Sequence, residues 1–105
     1  MNLKNPVELI TREITKLTNA EKIILFGSKK DVVSGQIKDI DICVVCEAPD
    51  KSGLENTLYL TIDSEISFDI IIYTPDEWTA LTADRQSFAY RILEKGILVY
   101  EREEK

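Results

Sequence analysis

Residues 24–45, ILFGSKKDVVSGQIKDIDICVV, begin and end as apolar strands, with a Gly27-Ser28 pair and two aspartates, Asp39 and Asp41, between those runs. On a strand, residues i and i+2 share a face, so Asp39 and Asp41 point one way while Ile40 and Ile42 point into the core. Two carboxylates about 6.5 Å apart along one strand repel each other unless something positive lies between them. A divalent cation is the simplest resolution.

The pattern around this stretch alternates helix and strand. Asn5-Pro6-Val7-Glu8 supplies an N-cap, a first-turn proline and a first-turn acid, and Val7, Ile10, Ile14 and Leu17 then mark one helical face running to about Thr18. Lys22 to Phe26 is a β-rich run ended by Gly27, and Asp39 to Val45 is a second. Ser28 to Val33 is expected to form a short helix, stopped by Ser34-Gly35. Ser52-Gly53-Leu54-Glu55 reads as a capping box for a helix with Leu54, Leu58 and Ile62 on one side, running to about Ser64. Phe68 to Tyr73 is the third strand. Thr74-Pro75-Asp76-Glu77 opens a short helix through Trp78 and Leu81. Another helix, from about Arg85 with Phe88, Ile92 and Leu93 on its apolar side, stops at Lys95-Gly96. Trp78 and Phe88 are expected in the core. Ile97 to Tyr100 is the last strand, and the EREEK end is expected to fray. These elements define an α/β (α+β) fold, a small mixed sheet of three to four strands flanked by helices, in one domain over residues 1–105.

Composition narrows the chemistry. With 105 residues, 44% hydrophobic and 30% charged, the chain fits one water-soluble globular domain. A formal charge of -6 argues against a general affinity for nucleic acid or anionic membrane. There is no histidine, so the commonest general base and the commonest transition-metal ligand are both missing. No signal-peptide core and no run near the ~20 apolar residues of a membrane span is present, so a cytoplasmic location is expected. The only cysteines, Cys43 and Cys46, form a CxxC inside an apolar run, where residues three apart face opposite sides of a strand. They are expected to be reduced, small strand residues rather than a redox or zinc pair.

Asp69 interrupts the apolar run SFDIIIYT, where an unpaired buried charge would cost several kcal/mol. If its strand lies beside that of Asp39 and Asp41, with Asp69 on the same face, three carboxylates converge. Oxygen ligands without histidine or clustered thiolates favour Mg2+ or Mn2+ over zinc. Gly27 lets the backbone approach a ligand, and Ser28 with the amides after it would open a helix N-terminus suited to phosphate. Lys29 and Lys30 either neutralise phosphate charge or are two exposed lysines. No GxxxxGK[ST] loop is present, so this is not a Walker-type site.

Gly27-Ser28, then Asp39-Ile40-Asp41, then an aspartate in a later hydrophobic strand resemble the signature of the DNA polymerase β-type nucleotidyltransferase superfamily. The short length is similar to its minimal nucleotidyltransferases, the MNT antitoxins of HEPN/MNT toxin–antitoxin modules. The resemblance implies a polymerase β-like nucleotidyltransferase fold. It further implies that Gly27 and Ser28, with Lys29 and Lys30 nearby, hold the phosphates of ATP. Asp39, Asp41 and Asp69 would be the catalytic residues and the ligands of two Mg2+ ions, with Asp69 acting as base or as the ligand of the metal that lowers the acceptor hydroxyl pKa. The implied reaction moves AMP to a hydroxyl on a HEPN-type protein partner. Many relatives carry an arginine shortly after the Gly-Ser and a serine directly before the DxD; this chain has Lys29-Lys30-Asp31 and Lys38. Larger relatives add a helical domain, so part of the site is expected from a partner or a second copy, in a homo- or hetero-oligomer. Two rivals stay open: a non-catalytic antitoxin that neutralises its partner by contact, and a small domain whose carboxylates hold a structural cation or face water.

Overall fold

The computed structural model describes residues 6–30 and 37–103, with the side chains of residues 28–30 and 37–38 outside the description. The element order is α1 (Pro6–Leu17), β1 (Lys22–Lys30), β2 (Ile37–Val45), α2 (Lys51–Thr61), β3 (Ser67–Tyr73), α3 (Pro75–Thr82), α4 (Phe88–Lys95) and β4 (Ile97–Glu101). The strands form one mixed sheet in the order β3-β2-β1-β4. β1 runs antiparallel to both β2 and β4, while β2 and β3, joined through α2, are parallel.

Alternation along the central strand builds a core on each side of the sheet. Ile40, Ile42, Val44 and Cys46 join Ile23, Ile70 and Ile72 under Ile10 and Ile14 of α1 and Leu58 of α2. Cys43 and Val45 turn the other way and join Ile24 and Tyr73 beneath Trp78 of α3 and Ala89 and Ile92 of α4. The CxxC is therefore split between two cores, both thiols free and buried. Burial, with a smaller contribution from Cys46, pushes the Cys43 thiol up to about 12. A thiol held so firmly protonated is a packing group.

The expected short helix from Ser28 is corrected, and with it the helix N-terminus expected there to receive phosphate: Ser28, Lys29 and Lys30 continue β1. They pair with Ile40, Asp39 and Ile37 in the hairpin, and this ladder satisfies backbone groups that a helix would have paired locally. Asn5 and residues 31–35, on which the first cap, the rest of that helix and its stop were placed, lie outside the described residues.

The cap of α2 is Asp50 rather than Ser52. Its carboxylate accepts from the Gly53 N–H at 3.1 Å, and the helix ends at Thr61. α3 follows expectation in full, with Thr74 and Glu77 each bonding the other's backbone N–H and Pro75 in the first turn. α4 starts at Phe88 behind a Ser87 cap rather than at Arg85, and it buries Ala89 and Ile92 while Phe88 and Leu93 stay half exposed. Trp78 is buried as expected. The C-terminal stretch is tied down through Arg102: β4 includes Glu101, which meets Lys22 at 2.6 Å, and the Arg102 N–H donates to the Glu21 carbonyl.

Candidate active site

The parallel pairing of β2 and β3 sets the site. Its register places Asp41 beside Asp69 and Asp39 beside Ser67. Directly paired residues share a face, so Asp41 and Asp69 stand side by side and Asp39 lies two residues along β2 on the same face. That is the face of Cys43 and Val45. α3 and α4 cover it over the C-terminal halves of β2 and β3, and beyond that cover Asp39 and Asp69 are exposed and Asp41 is half-buried. The expected shared face is present, but the register alone does not gather the three carboxylates into a ligand group. The burial cost that seemed to demand a partner for Asp69 does not arise, because Asp69 lies on the exposed N-terminal half of the edge strand.

Gly27 completes this face from the other neighbouring strand. Leu25 pairs with Ile42 but Gly27 pairs with Asp41, so Phe26 is the extra residue of a β-bulge. A Cβ at Gly27 would stand 2.5 Å from Asp41 Oδ2 and 3.3 Å from its Cβ. The glycine leaves the space that the Asp41 carboxylate fills. Past the bulge the register partners are Ser28 with Ile40, Lys29 with Asp39 and Lys30 with Ile37, so the position of Lys29 falls next to an aspartate and those of Ser28 and Lys30 do not.

Two features have no counterpart in the sequence argument. The Tyr59 hydroxyl of α2 accepts a 2.7 Å hydrogen bond from the Ile70 N–H, and its ring stacks on Phe68 with centroids 5.4 Å apart. Burial raises its pKa against the opposing effect of that hydrogen bond, and Asp69, Glu55 and Asp41 raise it further, which places the phenol in the field of the carboxylates. Tyr59 lies off the apolar side marked by Leu54, Leu58 and Ile62, so helical periodicity gave no signal for it. The second feature is an edge-to-face contact between Phe26 and Phe88, centroids 5.6 Å apart and planes at 86°.

Among the described residues, no group of three or more His, Cys, Asp or Glu side chains is gathered so that it could hold a metal ion by itself. No helix among them is long and apolar enough to cross a membrane.

The family model described as "Polymerase beta, Nucleotidyltransferase" matches residues 8–105, and the chain belongs to that family. The mixed four-stranded sheet and four helices among the described residues are the α+β fold of the polymerase β-like nucleotidyltransferase domain, and the activity class is that of a transferase acting on a nucleotide substrate. Domains of this family generally use nucleoside triphosphates and divalent metal ions. No curated protein and no solved structure matches the chain.

Proposed function

We propose that residues 1–105 form a single minimal nucleotidyltransferase domain, cytoplasmic and Mg2+-dependent, that transfers AMP from ATP to a hydroxyl of a HEPN-type protein partner as the antitoxin of a HEPN/MNT pair. The observation that carries the transfer is the register of β2 and β3, which sets Asp41 beside Asp69, with Asp39 on the same uncovered face.

The residues present fit divalent metal by their chemistry. The donors are oxygens only, they share one face, and Gly27 adds no side chain beside Asp41. Asp39, Asp41 and Asp69 would hold the ions, which when bound would lower the acceptor hydroxyl pKa and offset charge on the phosphates. Gly27 and Ser28, with Lys29 and Lys30, are the proposed phosphate-side residues. Asp69 either takes the proton of the acceptor hydroxyl or ligates the metal that acidifies it. The acceptor oxygen bonds to the α-phosphorus, the bond to the bridging oxygen breaks, and pyrophosphate leaves.

The test incubates the chain with its folded partner, Mg2+ and each nucleoside triphosphate, and reads the intact mass of the partner. A gain of one or more AMP units with ATP is expected, and no gain with any triphosphate rejects the transfer. Asp41→Asn separates catalysis from contact. Neutralisation of the partner should be lost in a variant that still folds and binds; if it survives, the chain acts by contact alone.

A further inference from the structure

Phe88 opens α4 on a helix whose Ala89 and Ile92 are buried, yet 49% of it is exposed. Its exposed area, with the ring held against Phe26, is apolar aromatic surface that a ligand can cover. An edge-to-face contact uses the edge of one ring and the face of the other, so the Phe26–Phe88 pair keeps aromatic faces that neither ring covers.

The position of this pair is set by the bulge. Phe26 is the extra residue, and the residue after it, Gly27, abuts the Asp41 carboxylate. Phe26 also packs on the cluster under α3 and α4. The two rings therefore stand where the helical cover ends and the carboxylate face begins.

We propose that Phe88, backed by Phe26, is the base-stacking surface of the nucleotide site and a specificity-determining residue for the transfer, an inference that rests on the function proposed above. A nucleoside triphosphate whose phosphates lie over Asp39, Asp41 and Asp69 would extend its base toward this rim. Every base has a π-face, and a phenyl ring offers no hydrogen-bond donor or acceptor to read the base edge. Such a platform ranks ligands by stacking area. Purine nucleotides bind above pyrimidine nucleotides, and adenine is not separated from guanine.

The experiment is calorimetric titration of the full chain in Mg2+ with ATP, GTP, CTP, UTP and inorganic tripolyphosphate, comparing wild type with Phe88→Ala, Phe88→Leu and Phe88→Trp. ATP and GTP should bind alike and above CTP and UTP. Phe88→Ala should weaken ATP by about tenfold or more and leave tripolyphosphate unchanged. Phe88→Trp should hold ATP at least as well as wild type. Phe88→Leu keeps apolar bulk without a π-face and should resemble Phe88→Ala, which keeps the test usable if the alanine variant melts. Equal ATP affinity in wild type and Phe88→Leu overturns the stacking surface and leaves the transfer standing, as does an equal loss for tripolyphosphate and ATP. Failure of wild type to bind either ATP or tripolyphosphate overturns both.

Discussion

Gly27 shows how much one absent methyl group decides. A Cβ there would meet the far end of the Asp41 side chain rather than backbone, so the carboxylate can move aside and the strand need not break. Gly27→Ala should therefore leave the melting temperature within a few degrees of wild type while displacing Asp41. A misplacement on the order of 1 Å in a catalytic group costs about 100-fold in rate. Measured as the initial rate of mass gain on the partner, transfer should fall by about that factor; wild-type rates in a folded Gly27→Ala protein would show that Asp41 does not need the position it occupies. Part of this was legible in the sequence. A Gly-Ser after a strand and a DxD ten residues later announce a close approach, but the intended guest was a phosphate. The contact with Asp41 itself could not be read, because it depends on a bulge that a sequence pattern does not reveal.

Elements were legible where local chemistry agreed with tertiary packing. Thr74-Pro75-Asp76-Glu77 sets a capping box that needs no distant partner, and Lys51 only reinforces it at 2.6 Å. The bond to Lys51, followed by the bond from the Thr74 N–H, holds the Glu77 carboxyl below its ordinary value of 4.5. A lowered folded-state pKa contributes stability that is present above the unfolded value and is lost as pH falls through the folded one. Acid melts of wild type should show this loss below about pH 4.5, and Glu77→Gln should lack that component; identical acid profiles would remove Glu77 from the cap. At neutral pH, Thr74→Ala should cost about 1 kcal/mol, roughly 4–8 °C in Tm. Elements were misread where two local signals competed. Asp50 and Ser52 both suit a cap, and Asp50 holds the Gly53 N–H. In the outer half of β1, Ser28, Lys29 and Lys30 carry no alternation that would mark a strand, and the bulge at Phe26 shifts the phase before they are reached. Only the cross-strand register, which pairs Lys29 with Asp39, makes that half a strand.

On the scale of the whole molecule, the α/β class and the shared face of Asp39 and Asp41 followed from the sequence pattern, whereas the order of the strands, on which the place of Asp69 beside them depends, did not. That order leaves β3 and β4 as the edges, and the two edges are treated differently. The outward Ile70 N–H of β3 is met by Tyr59, while β4 exposes Ile97 and Leu98, 62% and 50% exposed. Tyr59→Phe removes the acceptor and keeps the ring on Phe68, so amide exchange at Ile70 should quicken and stability should fall by about 1 kcal/mol. Unchanged exchange at Ile70 would mean that the hydroxyl is dispensable at this edge. The inequality of the edges also has a geometric consequence. An endless ribbon of sheets requires every subunit to offer one edge and receive another. Tyr59 blocks that exchange at one backbone donor of β3, so a twin approaching this border would first have to displace a phenol from Ile70.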